Sequence, residues 1–206
     1  MGDIVKSSEA ENIEMLWNDF NMTIDRFSSE YGEKLLSPLT ITLGDEFQGI
    51  VNSLAEGVAL MFNLSIALRE KNIRCRFVLA YGEIATEVND AIAHNMMGEG
   101  LTVARRLLND KKNENRFRFI VDNSLLTQAL NISGLLLSLM EDSWTRRQLD
   151  VAYRMITLGE DTKKIADDLD TIPRVINKIK NQGKINYYSD SVKAIMTLMN
   201  EGKDVT

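Results

Sequence analysis

Cysteine occurs once, at Cys75, so the chain has no disulfide framework and no cysteine-rich metal site. Histidine also occurs once, and His94 alone supports neither a zinc cluster nor a Ser/His/Asp triad; it reads as a loop residue. The only prolines are Pro38 and Pro173, which leaves no Pro-rich linker. No apolar run approaches the ~20 residues of a membrane-spanning helix. The opening Met1-Gly2-Asp3-Ile4-Val5-Lys6 lacks a cationic segment followed by an apolar one, so the expected location is the cytoplasm. There is no Walker loop, no Gly-x-Gly-x-x-Gly string and no internal repeat.

The 206 residues are 44% hydrophobic and 26% charged, a globular balance. Net charge is −6, but its distribution is uneven: residues 143–206 hold 11 Lys+Arg against 9 Asp+Glu. The acidic excess therefore lies in residues 1–142. Such asymmetry points weakly to a polyanionic partner for the C-terminal part.

Apolar residues at Ile13, Leu16, Trp17, Phe20, Ile24 and Phe27 follow a 3.6-residue period and predict an amphipathic helix. Leu39, Ile41 and Leu43 alternate with threonines as a strand, Gly44-Asp45 makes a turn, and residues 46–51 return. A second helix carries Leu54, Val58, Met61, Phe62 and Leu68. Residues 74–81 form a strand, 83–97 an irregular excursion, 98–110 a third helix and 117–121 a strand, with a further helix from Asn123. With Ile4-Val5 as the end of a first strand, the order is β-α-β-β-α-β followed by helices. That order predicts an α+β fold, a ferredoxin-like antiparallel sheet with helices on one face, over residues 1–142.

Residues 143–206 read as helices only. Leu149, Ala152, Tyr153 and Ile156 mark one, Thr162 caps a short second, Val175, Ile176 and Ile179 mark a third, and Ser189 precedes a last. A short helix before a third of this kind fits an all-α helix-turn-helix domain, in which the third helix enters the DNA major groove. Its polar face offers Arg174, Asn177, Lys178 and Asn181. Arg and Asn read guanine and adenine edges, and Lys holds phosphate. The plainer alternative is a helical bundle for dimerisation or protein docking.

Asp3 and Asp45 fall at a strand end and a hairpin that such a sheet sets side by side, an oxygen-rich pair suited to Mg²⁺ or Mn²⁺. Ordinary turn chemistry at Gly44-Asp45 is the competing account. Arg105-Arg106 and Lys111-Lys112 read as solvated helix ends more readily than as a basic patch. The ten methionines read as core filler.

Gly2-Asp3-Ile4-Val5 and Leu43-Gly44-Asp45-Glu46-Phe47 resemble the metal-carboxylate motifs of class III nucleotide cyclases. The second also resembles the hairpin of diguanylate cyclases. Residues 76–84 and 98–107 resemble the later cyclase strand and helix, in the same order. The resemblance implies a nucleotide site with Gly44, Thr102 and Arg106, completed across a homodimer. It departs where the cyclase helix has Asn and this chain has Thr102, and where the base-reading Lys falls near Ile41.

A closer resemblance, through Gly2-Asp3-Ile4-Val5, the string Thr42-Leu43-Gly44-Asp45-Glu46-Phe47-Gln48-Gly49 and the helical residues 143–200, is to the SatD family. It implies a bacterial cytoplasmic protein with a regulatory role and no established reaction. The expected function is a DNA-binding transcriptional regulator with a domain that senses nucleotide or metal, or dimerises, rather than an active enzyme. The alternatives are a metal-dependent, cyclase-like nucleotide enzyme and a non-catalytic dimeric scaffold.

Overall fold

The computed structural model describes residues 1–9 and 11–201. Among these residues five strands form one mixed sheet: β1 (Gly2–Ile4), β2 (Leu35–Ile41), β3 (Glu46–Val51), β4 (Cys75–Ala80) and β5 (Phe117–Ile120), in the order β2-β3-β1-β4-β5. The first four are antiparallel neighbours, and β5 runs parallel to β4. The fully antiparallel sheet expected from the sequence is corrected by that fifth strand. A parallel neighbour needs a crossover, and the crossover is the third helix.

Among the described residues eight α-helices accompany the sheet. They are α1 (Ile13–Glu30), α2 (Leu54–Glu70), α3 (Glu99–Leu108), α4 (Ser124–Ser143), α5 (Arg146–Leu158), α6 (Thr162–Asp168), α7 (Pro173–Gln182) and α8 (Ile185–Glu201). Local chemistry starts most of them. Side-chain oxygens of Asn12, Ser53 and Asn123 accept from backbone N–H groups in the first turns of α1, α2 and α4, and Thr145 with Gln148 closes a capping box on α5. The cap of α6 is Asp161, one residue before the Thr162 expected to serve. Asp161 accepts from the N–H groups of both Lys163 and Lys164. α8 begins at Ile185 rather than near Ser189, directly after Lys184 turns the chain through a positive φ of 56°.

The helices do not share one face. Successive strand residues point to opposite sides. Phe77 joins the aromatic cluster with Phe47, Phe62 and Phe117, whereas its neighbour Val78 packs with Ala104 and Leu108 of α3. α3 therefore covers the face opposite α2. The expected stripe of α1 is buried at Phe20, Ile24 and Phe27, but Ile13 and Trp17 in its first turns stand exposed.

α2 is buried nearly all round, as a helix between two layers must be. Gly57, Leu60 and Leu64 look toward Phe77 and Leu79 of the sheet, while Phe62 and Ile66 look toward α5 and α8. One continuous core results on this face of the sheet. Leu149, Ile165, Ile176 and Tyr188 belong to the same buried cluster as Phe20, Phe62 and Phe117, so the hydrophobic interior runs across residue 142. Among the described residues no helix is long and apolar enough to cross a membrane.

Candidate functional site

Two regions carry the chemistry singled out in the sequence. The first is the centre of the sheet on its α3 side. Asp3 on β1 is fully buried and lies between Glu46 on β3 and Arg76 on β4 in the strand register. Its carboxylate faces two cations: Arg76 Nη1 at 3.3 Å and Lys111 Nζ at 3.5 Å from Oδ2. Burial pushes the Asp3 carboxyl above the ordinary carboxylate range, against the opposing pull of Arg76 and then Lys111.

Glu46, beside Asp3, has its own cation, with Arg105 Nη1 2.9 Å from Oε2. Arg105 also donates to Gln48 Oε1 at 3.2 Å. Asp45 lies in the hairpin turn, after Gly44 with φ +66°. Its Oδ2 accepts from Ser7 Oγ at 2.6 Å and its carbonyl from the Ile4 N–H at 3.0 Å. The donor set thus carries its positive charge as protein side chains. Among the described residues no group of three or more His, Cys, Asp or Glu side chains is arranged to hold a metal ion. Of the two carboxylates expected to hold Mg²⁺ or Mn²⁺, Asp3 already faces Arg76 and Lys111, whereas Asp45 faces Ser7 in the turn.

α3 brings Arg105 to the carboxylates, not Arg106. A one-residue step turns a helix by about 100°, so Arg106 is exposed, as is Thr102, whose hydroxyl donates to the Gly98 carbonyl at 3.0 Å. Gly44 is exposed too. The sequence held a signal for Arg105: Leu101, Ala104 and Leu108 mark the inward side of α3, and Arg105 lies four residues after Leu101. The approach of α3 to the sheet end is set by two glycines. A Cβ on Gly82 would lie 2.7 Å from the Gly100 Cα. Beside Arg105 a cavity of about 560 Å³ opens among Gln48, His94 and Thr102.

The second region is α7. Ile176 and Ile179 are buried and Val175 half-buried, while Arg174, Asn177, Lys178 and Asn181 are all exposed. Pro173 takes the first helical position, where its missing N–H leaves no bond unmade. Four residues link α6 to α7, with the Thr171 N–H bonded to the Ala166 carbonyl at 2.9 Å and Asp170 at φ 47°. α5 packs against both helices. Lys180, in contrast, is buried, and its ammonium donates to the Glu160 carbonyl and Thr162 Oγ1 at 3.4 Å each; burial lowers its pKa. α7 contains no acidic residue.

A third feature lies between these regions. An apolar cavity of about 360 Å³ separates α2 from α5 and α8, lined by Phe62, Ile66, Met155 and Val192, with the Glu160–Lys193 ion pair (2.7 Å) among its lining residues.

These features define an α+β protein in which a five-stranded mixed sheet and a bundle of helices share one core. The chain belongs to the SatD family, whose family model matches residues 1–199. No curated protein and no solved structure matches it.

Proposed function

We propose that the protein is a cytoplasmic DNA-binding transcriptional regulator, with α5, α6 and α7 acting as a helix-turn-helix unit and the sheet region as its sensing and dimerising part. The observation that carries this reading is the outer face of α7. Four side chains of the types that contact bases and phosphates lie exposed at i, i+3, i+4 and i+7 on a helix without acidic residues. The end of α6 and the following turn are acidic, with Asp167, Asp168 and Asp170, so phosphate contacts fall to α7 and to Lys163 and Lys164. A gel-shift series against genomic fragments at low salt tests it. Binding that weakens steeply with salt supports the reading, and no binding at low salt removes it.

The order β2-β3-β1-β4, with β1 central and paired to β3 and β4, supports a ferredoxin-like reading of these four strands. This supports the cyclase-like origin suggested by the motifs at Asp3 and Asp45. The pairing of Asp3 with Arg76 and Lys111, and of Glu46 with Arg105, favours a sensing role over cyclisation.

The partner we propose for α4 is a second copy. Leu125, Ile132, Leu136 and Leu139 are exposed on α4 at 75%, 63%, 57% and 53%. The first, second and fourth recur every seven residues, with Ala129 and Leu136 between them, a coiled-coil seam. Residues 124–140 contain no charge in a chain that is 26% charged. An antiparallel pairing about Ile132 sets Leu125 against Leu139 of the second copy, the self-complementary match a two-fold interface needs. Such a dimer presents two α7 helices to two half-sites.

A further inference from the structure

At the margin of the sheet lies a cleft of about 390 Å³ whose lining contains Arg74, Arg76, Lys111, Lys112 and Arg116 against only Glu114 and Asp142. In a chain of net charge −6 this is a local reversal of sign. Concave surfaces of one charge concentrate field and draw in counter-ions.

The cations are not equally committed. Arg74 and Arg116 make tight ion pairs, at 2.6 Å to Asp142 and 2.6 Å to Glu141. Arg76 and Lys111 are held loosely. Their distances to Asp3 are 3.3 and 3.5 Å, and Arg76 Nη2 lies 3.4 Å from the Lys111 carbonyl. Charge-assisted bonds between committed partners are about 2.7–2.9 Å. These two groups therefore retain donors that a better acceptor would take.

A second observation is independent of the first. Arg116 is 3% exposed, and its Nε–H has no acceptor. A buried donor without a partner is uncommon and unfavourable. Arg116 is among the residues lining this cleft, and its charge adds to the field there.

We infer that this cleft binds the phosphate group of a small phosphorylated molecule, with Arg76 and Lys111 as its donors and Lys112 at its rim. Guanidinium groups match phosphate oxygens in paired geometry, and the ammonium groups add charge. Asp3 is then a positioning residue. Its buried carboxylate holds Arg76 and Lys111 on the cleft wall. The cleft volume exceeds what a lone phosphate fills and lies in the range of small-molecule sites. This site does not rest on DNA binding by α7.

The test is isothermal titration of the full chain with orthophosphate, pyrophosphate and ATP, without divalent metal, on the wild type and on Lys111→Gln/Lys112→Gln. Both lysines are in a loop at the surface, so that variant keeps its fold. Arg76→Gln is paired with Asp3→Asn so that no buried charge is left unmatched. Arg174→Gln on α7 is the control. Saturable binding is expected for at least one of the three probes, weakened about tenfold or more in both site variants, the order expected for a lost charge-assisted bond. Arg174→Gln should bind as the wild type does. Equal affinity for pyrophosphate and ATP means that phosphate alone is read, and tighter ATP means that its nucleoside is held as well. Absence of saturable binding for all three, or equal affinity in Lys111→Gln/Lys112→Gln, overturns the inference.

Discussion

Tyr188 on α8 donates its phenolic hydrogen to the carboxylate of Glu141 on α4, and both side chains are buried. The same carboxylate receives Arg116 at 2.6 Å and Ser65 of α2 at 2.9 Å. Trp144 Nε1 donates to the Gly183 carbonyl at 2.7 Å, and its ring lies 4.9 Å from that of Tyr188. One acidic side chain thus joins the sheet margin, α2, α4 and the terminal helix. Tyr188→Phe removes the donor and leaves a buried acceptor short of a partner, and should destabilise the fold by about 1–3 kcal/mol. The urea midpoint of the variant measures this. A shift equivalent to less than about 0.5 kcal/mol, the scatter of ordinary surface changes, would contradict it.

Alkaline pH probes the same group from outside. Burial, and then the Glu141 charge, hold the Tyr188 phenol well above its ordinary pKa of 10.0. The folded chain therefore keeps a proton that the unfolded chain loses. Below about pH 10 this difference contributes nothing. Above it, stability should fall as pH rises, by up to about 1.4 kcal/mol per pH unit. Unfolding of the wild type at successive alkaline pH values should show that extra slope, and Tyr188→Phe should lack it. Parallel slopes in the two proteins would remove Tyr188 as the cause.

For the DNA-binding reading, Lys178→Ala should weaken binding to all sequences alike and reduce the salt slope of log K by about 1. Arg174→Ala should instead relax the choice of sequence, by about 1–3 kcal/mol between preferred and altered sites. Fluorescence anisotropy at several salt concentrations separates the two effects. If neither variant changes affinity or slope, α7 is not the contact surface.

The dimer proposed through α4 makes a different demand. Ile132→Glu places two carboxylates opposite each other at the centre of the antiparallel pairing, and should convert dimer to monomer in sedimentation without unfolding the chain. A wild type that already sediments as a monomer at high micromolar concentration would end the proposal.

Cys75, the single thiol, is buried in β4, and burial pushes its pKa far above the ordinary range. The thiolate is the reactive form. A disulfide reagent should therefore label the native protein only at the rate of its opening, and denaturant should release the thiol fully. Rapid labelling of the folded chain would show that β4 is more open than this packing implies.

How much of this was legible in the sequence differs from element to element. The periods around Phe20, Val58 and Val103 and the alternation around Ile41 placed α1, α2, α3 and the hairpin, because each buries one side and the apolar spacing records which. The direction of β5 was not written in any local pattern. Whether Phe117 and Phe119 run with or against β4 depends on the crossover, and strand alternation is the same either way. The side chosen by α3 was hidden for the same reason. At the carboxylates, spacing drew attention to Asp3 and Asp45 but not to the counter-charges of Asp3. Arg76 and Lys111 are 73 and 108 positions from Asp3 in the chain, and only the sheet brings them to it. On α7 helix geometry alone placed Ile176 and Ile179 inward and Arg174, Asn177, Lys178 and Asn181 outward, but not the burial of Lys180.

Gly134 adds one last consequence. A Cβ at this position would lie 2.1 Å from the carbonyl oxygen of Phe117, so α4 meets β5 with no room for a methyl group. That contact sets the rotation of α4 about its own axis, and two residues on, the same rotation turns Leu136 to the solvent. The side chain that is missing on the inner surface decides which ones are offered on the outer. Gly134→Ala, a change invisible from solvent, would be felt first by whatever meets the opposite side of that helix.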